Sequence, residues 1–179
     1  ECARALRAAG VRFQPLADAE AELLTTPVPA PVVIAPQPIG GVTFVAMHDA
    51  CDDDERVILS CELSARLPDI AAVLARHGVT RVEVLSSYRD HPRPSFHTFG
   101  LALDMAVFTT ASGPLSVATD FQVSAAHETC AAPPPTDARA RVLLEIACDL
   151  AQSGRVSTVL TPNYNAGHRD HFHVDVRPD

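Results

Sequence analysis

Five of the eight histidines lie in two short stretches, residues 91–97 and 168–173. In the second stretch and just after it, His171, His173 and Asp175 are each two residues apart. Because side chains alternate along a β-strand, this spacing puts all three on one face of a strand. Imidazole nitrogens and carboxylate oxygens are common ligands of zinc in proteins. A short His-x-His motif is weak evidence by itself, since such histidines are more often separate surface or hydrogen-bonded residues.

The first stretch supplies further candidate ligands. His97 and Asp104 are an odd number of residues apart, so a straight strand would place them on opposite faces. Gly100 between them allows the backbone to turn, so that His97 can fold back toward Asp104. Ala102 and Ala106 share the face of Asp104 and leave room above it. Together the two stretches favour a catalytic zinc site with two His ligands and one Asp, whose open position holds a water that the metal activates as a nucleophile.

The elements that must position these residues indicate an α+β fold, an antiparallel sheet with flanking helices. Several strand-like segments follow one another and alternate only irregularly with helices, which disfavours a doubly wound fold. A helix is predicted over residues 137–153 with Thr136 as its N-cap. Residues 62–77 have helical spacing, and Pro68 either kinks that helix or starts it. The predicted strands are residues 41–47, 81–88, 101–108, 156–160 and 172–176, with one further strand at 32–35 inside the first Pro-rich segment.

Length and composition set the remaining bounds. The 179 residues are predicted to form a single domain, 1–179, with irregular Pro-rich segments at about 15–40 and 109–135. No apolar run approaches the ~20 residues that a membrane-spanning helix needs. The net charge is −8 and there is no Lys, so nucleic acid is not an expected partner. Oligomeric state is left open.

The five cysteines are Cys2, Cys51, Cys61, Cys130 and Cys148, and none forms a CxxC pair. They are either buried free thiols or disulfides of an exported protein with one cysteine left over. We predict that a disulfide joins Cys130 to Cys148 and ties the second Pro-rich segment to the helix that follows. A further bridge is expected among the other three, with its pairing open. We expect the protein to be exported, to the periplasm or to the cell exterior, with any signal peptide lying outside these residues.

The pattern SxHxxGxAxD over residues 95–104, followed by HxH at 171–173, resembles a superfamily of metallopeptidases. It includes lysostaphin-type enzymes, D-alanyl-D-alanine peptidases and the hedgehog fold. The segments 162–175 (PNYNAGHRDHFHVD) and 6–13 (LRAAGVRF) are similar to the bacterial extensin-like C-terminal domain family. The resemblance implies a hedgehog/D-Ala-D-Ala-peptidase-like fold. It also implies a zinc peptidase acting on peptidoglycan peptides, as a DD-carboxypeptidase or an endopeptidase, with His97, Asp104 and His173 as metal ligands.

The resemblance and the strand pattern also suggest roles for neighbouring residues. The resemblance implies that Arg89 anchors a substrate carboxylate, a task that suits a guanidinium group, although a plain surface Arg is an equal alternative. His171 shares the face of His173 and is our preferred general base or oxyanion stabiliser, with Asp170 as its orienting residue or as the base itself. His168 is a candidate supporting residue. Asp175 is expected to support the sheet end or a neighbouring Arg.

Two other functions compete with an exported zinc peptidase. One is a non-catalytic, metal-stabilised binding module of the cell envelope, because folds can keep a metal site without activity. The presence of a proton-transfer residue beside an open metal position separates the two, and His171 favours the enzyme. The other is a cytosolic hydrolase with reduced thiols, which thiol titration of the native protein would identify.

Overall fold

The chain folds into short strands and helices. The computed structural model describes residues 2–22, 24, 26–47, 56–92, 94–125 and 128–177. Its strands are β1 (Phe13–Pro15), β2 (Pro31–Ile34), β3 (Pro38–Ile39), β4 (Val42–Ala46), β5 (Val57–Ser60), β6 (Val79–Ser86), β7 (Ala102–Thr110), β8 (Gly113–Ser116), β9 (Thr158–Leu160) and β10 (Phe172–Asp175). Its α-helices are α1 (Cys2–Ala8), α2 (Asp18–Ala21), α3 (Cys61–Ser64), α4 (Leu67–Arg76), α5 (Val117–Asp120) and α6 (Ala138–Gln152). Among these described helices, none has the length and apolar character that crossing a membrane requires.

The strands form two sheets. The larger has the order β3-β4-β6-β7-β10-β9, and β8 pairs with the far end of β7. The smaller contains β1, β2 and β5. The predicted α+β class is confirmed, but the prediction of an antiparallel sheet needs correction, because β4 and β6 are parallel. Between these two strands the chain forms β5, α3 and α4, and such a crossover returns a strand in its original direction.

The hydrophobic core lies on the face of the larger sheet that carries α4 and α6. Both helices contact the sheet and each other, as their apolar stripes predict. From β10, Phe172 and Val174 are fully buried in the same cluster as Leu74 of α4 and Leu143 of α6. Because side chains alternate, His173 between them must face the opposite side of the sheet.

The strand predicted at 32–35 is β2, and beyond it the Pro-rich segments are more regular than the sequence predicts. Segment 15–40 contains α2, β2 and β3, and segment 109–135 contains β8 and α5. Pro31 and Pro38 are the first residues of their strands, a position where the missing N–H of proline is tolerated. Proline content alone therefore overestimated the irregular structure.

Two helix starts also refine the prediction. The N-cap of α6 is Asp137, not Thr136, and its carboxylate accepts a hydrogen bond of 2.9 Å from the N–H of Ala140. Both residue types are good N-caps, and the carboxylate also suits the positive end of the helix dipole. Pro68 lies in the first turn of α4, so it starts a helix and does not kink one.

Two disulfides close the fold. Cys130 is bonded to Cys148, the predicted pair, which ties segment 109–135 to α6. Cys2 is bonded to Cys61, which ties α1 to α3, while Cys51 lies outside the described residues. The alternative of free thiols is therefore wrong for these four cysteines. Two disulfides are compatible with an oxidising compartment.

Candidate metal centre

The centre is built first on the pairing of β7 with β10. His173 lies directly opposite Asp104 in this antiparallel pair. Both residues are buried, with 8% and 3% of their surface exposed. The Nδ1 atom of His173 is 2.9 Å from Oδ1 of Asp104. The register of β7 with β10 therefore sets the distance between these two side chains.

A tight turn before β7 brings the second imidazole to the same point. The residues Phe96–Phe99 form a 3-10 helix, and Gly100 ends it in the left-handed region with φ 65°. A Cβ atom on Gly100 would lie 2.6 Å from the backbone nitrogen of Ser60, so the close approach requires glycine. The turn places Nε2 of His97 3.1 Å from Oδ2 of Asp104 and 3.2 Å from Nδ1 of His173.

In each ring the inner nitrogen is the one near Asp104, and the outer nitrogen, on the other side of the ring, faces an oxygen acceptor. Nδ1 of His97 donates a hydrogen bond of 2.6 Å to the carbonyl of Ser87, just beyond the end of β6. Nε2 of His173 lies 3.4 Å from Oδ2 of Asp175. A neutral imidazole carries one ring proton, and where the outer nitrogen carries it the inner nitrogen presents a lone pair, which is the form that binds a metal. Lone pairs facing each other and a carboxylate repel unless a cation lies between them.

The donor set and its spacing fit a metal ion. One atom each from His97, Asp104 and His173 can be chosen so that all three lie within 4.8 Å of one another. At Zn–N distances of about 2.0–2.1 Å, two ligands of a tetrahedral ion lie about 3.3 Å apart, close to the separations observed here. The structure therefore brings the three predicted ligands together in a group that can hold a metal ion.

The electrostatics of the metal-free group show the same attraction for positive charge. Burial raises the pKa of Asp104, but hydrogen bonds from His173 and His97 outweigh it and hold this pKa well below its usual range. Burial lowers the pKa of His173, yet hydrogen bonds with Asp104 and Asp175 raise it to about 9. In the absence of a metal, a proton on His173 neutralises part of the buried negative charge.

His171 and Asp170 form a second imidazole–carboxylate pair at the edge of this group. Nδ1 of His171 is 2.8 Å from Oδ1 of Asp170, and its Nε2 is 3.6 Å from Oδ1 of Asp104. The His171 ring is therefore buried beside the candidate ligands, with Asp170 behind it. Asp170 lies outside the strand, because β10 begins at Phe172 and residues 169–170 form a turn, so strand alternation does not decide its position.

With this geometry in place, comparison with known proteins gives one result. All of residues 1–179 match the family model of the extensin-like protein C-terminus. The chain belongs to this family. Neither the curated proteins nor the solved structures include a significant match to it.

In this extensin-like domain, Arg89 lies close to the strand that carries Asp104. Its Nε donates to the hydroxyl of Ser86 at 3.2 Å, and its Nη1 donates to the carbonyl of His91 at 2.8 Å. Ser86 pairs with Asp104 across β6 and β7. The guanidinium is thus fixed by two contacts next to the candidate ligands, and part of the side chain reaches solvent.

His168 forms part of the wall above the group. Its ring centroid is 5.2 Å from that of His171 and 5.8 Å from that of His173. Burial, and then the nearby charges of His171 and His173, lower the pKa of His168 to about 4. This ring is therefore neutral at physiological pH, and its Nδ1 lies 2.8 Å from Oδ1 of Asn165.

Two contacts were not anticipated from the sequence of this extensin-like domain. The Ser87 carbonyl that orients His97 is a backbone group, and no side-chain pattern predicts it. Asp175 contacts His173, whereas the sequence suggested that it supports the sheet end or a neighbouring Arg. The two-residue spacing of His173 and Asp175 was the available signal, because it places both on one strand face.

Proposed function

We propose that this extensin-like domain is a zinc-dependent peptidase that hydrolyses peptidoglycan peptides outside the cytoplasm. The observation that carries the proposal is the convergence of two inner imidazole nitrogens and one carboxylate from His97, His173 and Asp104. The motif likeness to the lysostaphin and D-Ala-D-Ala metallopeptidase superfamily supports peptide hydrolysis. It also supports a hedgehog/D-Ala-D-Ala-peptidase-like arrangement of the sheet around the centre.

The donor set favours zinc over other common metals. Calcium and magnesium prefer sites built from oxygen atoms, whereas two of the three candidate donors here are imidazole nitrogens. Three protein ligands also leave a position open, as in catalytic zinc sites. A zinc ion bound there would lower the pKa of a coordinated water to about 7 and polarise a substrate carbonyl.

His171 is the residue best placed to move protons. Its Nδ1–H is held by Asp170, so Nε2 is free of that proton and faces the candidate metal ligands. Nε2 can accept a proton from the attacking water and then deliver it to the leaving amine. Asp170 would stabilise the imidazolium that exists between these two transfers. A general base or acid of this kind typically contributes about 10²–10⁴-fold in rate.

Arg89 is the candidate anchor for the substrate. A guanidinium group can bind a carboxylate through two parallel hydrogen bonds, and the carboxylates of cell-wall stem peptides are suitable partners. The contacts with Ser86 and His91 hold the arginine beside the strand of Asp104. Binding of a terminal carboxylate here would support DD-carboxypeptidase action, and binding of a side-chain carboxylate would support endopeptidase action.

A metal-stabilised binding module is the alternative function, and one distance favours it. Nε2 of His171 is 3.6 Å from Oδ1 of Asp104, near enough for a modest ring movement to supply a fourth ligand. Four protein ligands would close the site and make it structural. The role of His171 therefore decides between the two functions.

Incubation of the zinc-loaded protein with purified muropeptides tests the proposal. Mass spectrometry should detect fragments that accumulate with time and that disappear after zinc is removed with a chelator. The Asp104→Ala variant serves as the matched inactive protein. A protein with stoichiometric zinc that binds muropeptides without cutting them would favour the binding module.

A further inference from the structure

We propose that Asp175 is a positioning residue that fixes His173 in the orientation needed to bind the metal through Nδ1. The inference rests on the proposed zinc centre and extends it to a residue outside the ligand set. Metal-bound histidines generally donate their other ring N–H to a carboxylate or a carbonyl, which fixes the tautomer and raises the basicity of the ligand.

The register of the sheet puts Asp175 behind His173. Asp175 is the last residue of β10 and pairs with Ala102 of β7, whereas His173 pairs with Asp104. The two residues of β10 therefore share the face that carries the candidate ligands. The small side chain of Ala102 leaves space for the carboxylate of Asp175. Asp175 as a whole is 3% exposed.

The carboxylate of Asp175 faces the imidazole of His173. Oδ2 is 3.4 Å from Nε2 of His173. Oδ1 is buried and, within the described part of the chain, has no hydrogen-bond partner. A buried carboxylate is costly for a fold unless a positive charge or hydrogen-bond donors compensate it. Its placement is accounted for if the charge holds the Nε2–H of a metal ligand.

The same arrangement occurs on the other ring with a different acceptor. Nδ1 of His97 donates to the carbonyl of Ser87, so that His97 presents Nε2 to the centre. Asp175 holds Nε2 of His173, so that His173 presents Nδ1. When both outer nitrogens carry the ring proton, the two rings are in opposite tautomers and each presents a lone pair toward Asp104. Unlike the Ser87 carbonyl, the Asp175 side chain can be replaced without altering the backbone.

Zinc affinity measures the role of Asp175 without relying on peptidase activity. The Asp175→Asn variant keeps the shape of the side chain and removes its charge. We expect it to bind zinc about 10–100-fold more weakly than the parent in competition with a chromophoric chelator. The matched control is Asp149→Asn, which removes a carboxylate 2.9 Å from Nε2 of His77, outside the centre. This control should keep the affinity of the parent.

The outcomes separate this inference from the proposed function. Equal zinc affinity in the parent and in Asp175→Asn would overturn the inference and leave the zinc site standing. A merely structural role, which would also overturn it, predicts lower stability of the zinc-free variant with unchanged zinc affinity of the folded protein. A parent protein that binds no zinc would overturn the metal centre itself.

A second measurement uses only the parent protein and does not depend on a variant that folds. Nitrogen-15 NMR of the zinc-loaded protein should show His173 protonated at Nε2 and metal-bound at Nδ1. A zinc-bound His173 that is protonated at Nδ1 would overturn the inference, because Asp175 would then lie on the metal side of the ring.

Discussion

Short contacts between an imidazole and a carboxylate occur in this protein both at the surface and in the buried candidate metal centre. In the first, Nε2 of His77 lies 2.9 Å from Oδ2 of Asp149 at the surface. The Asp149 side chain is 39% exposed and also contacts Arg76 at 3.3 Å. In the second, the Asp104 side chain is 4% exposed and lies between His97 and His173, at 3.1 and 2.9 Å.

The difference shows why a short imidazole–carboxylate distance alone does not identify a metal site. At the surface, water and Arg76 balance the charge of Asp149, and such exposed pairs contribute about 0–1 kcal/mol. In the centre, the outer nitrogens of His97 and His173 already face Ser87 and Asp175, so the inner nitrogens converge on a buried negative charge. Two imidazole nitrogens that converge on a buried carboxylate form a site that favours a bound cation.

Replacement of a ligand is the strongest test of this difference. We expect the parent to carry about one zinc per chain after metal-free purification and zinc titration, because the group has a single set of ligands. His97→Ala, Asp104→Ala and His173→Ala should each lose most of this zinc and all measurable peptidase activity. His77→Ala, at the surface pair, should keep the zinc. Elemental analysis is the measurement, and unchanged zinc in any ligand variant removes that residue from the set.

His171→Ala should have the next largest effect, on turnover but not on metal content. Because His97, Asp104 and His173 suffice to bind the ion, zinc should remain near the parent level. Loss of proton transfer at Nε2 should reduce cleavage of muropeptides by about 10²–10⁴-fold. Loss of zinc and of fold stability would instead identify His171 as a fourth ligand and favour the binding module. Unchanged activity would leave Asp170 as the better candidate base.

The contrast between the two settings also shows what the sequence can predict. The convergence of the candidate ligands could be predicted because strand alternation, the glycine between His97 and Asp104, and the His-x-His spacing are local properties of the chain. Within the described structure, Gly100 has the positive φ that the turn requires. The Cys130–Cys148 disulfide could also be predicted, because a long segment before a helix needs an anchor.

The remaining features depend on contacts between distant parts of the chain. The parallel pairing of β4 with β6 follows from how the crossover through β5 packs, and neither strand encodes it alone. The contact of the Ser87 carbonyl with His97 depends on the pairing of β6 with β7, which joins residues distant in the chain. The partner of Asp175 could not be chosen from its strand, since the spacing allowed both His173 and an arginine.

Arg89→Lys tests the carboxylate anchor and should have a moderate effect. A lysine keeps the charge but cannot form two parallel hydrogen bonds with a carboxylate. If one charge-assisted hydrogen bond is lost, kcat/KM should fall by about 10–100-fold. A peptide with an amidated C-terminus provides the control, because the parent should already be slow on it and the variant should add little further loss. An equal loss on both peptides would place Arg89 outside carboxylate recognition, as a residue that only holds Ser86 and His91.

Asp149→Asn should have the smallest effect, and it defines the lower end of the comparison. At pH 7 the chelator-treated variant should be less stable than the parent by about 0–1 kcal/mol in urea unfolding.

The hydrogen bond from His77, followed by that from Arg76, lowers the pKa of Asp149 below its ordinary value of 3.8. A carboxyl whose folded-state pKa is lowered stabilises the protein above its unfolded pKa and loses this contribution as the pH falls through the folded value. The difference between variant and parent should therefore shrink below about pH 4. If Asp149→Asn instead weakened zinc binding tenfold or more, the surface pair would be coupled to the centre, and burial would no longer distinguish the two settings.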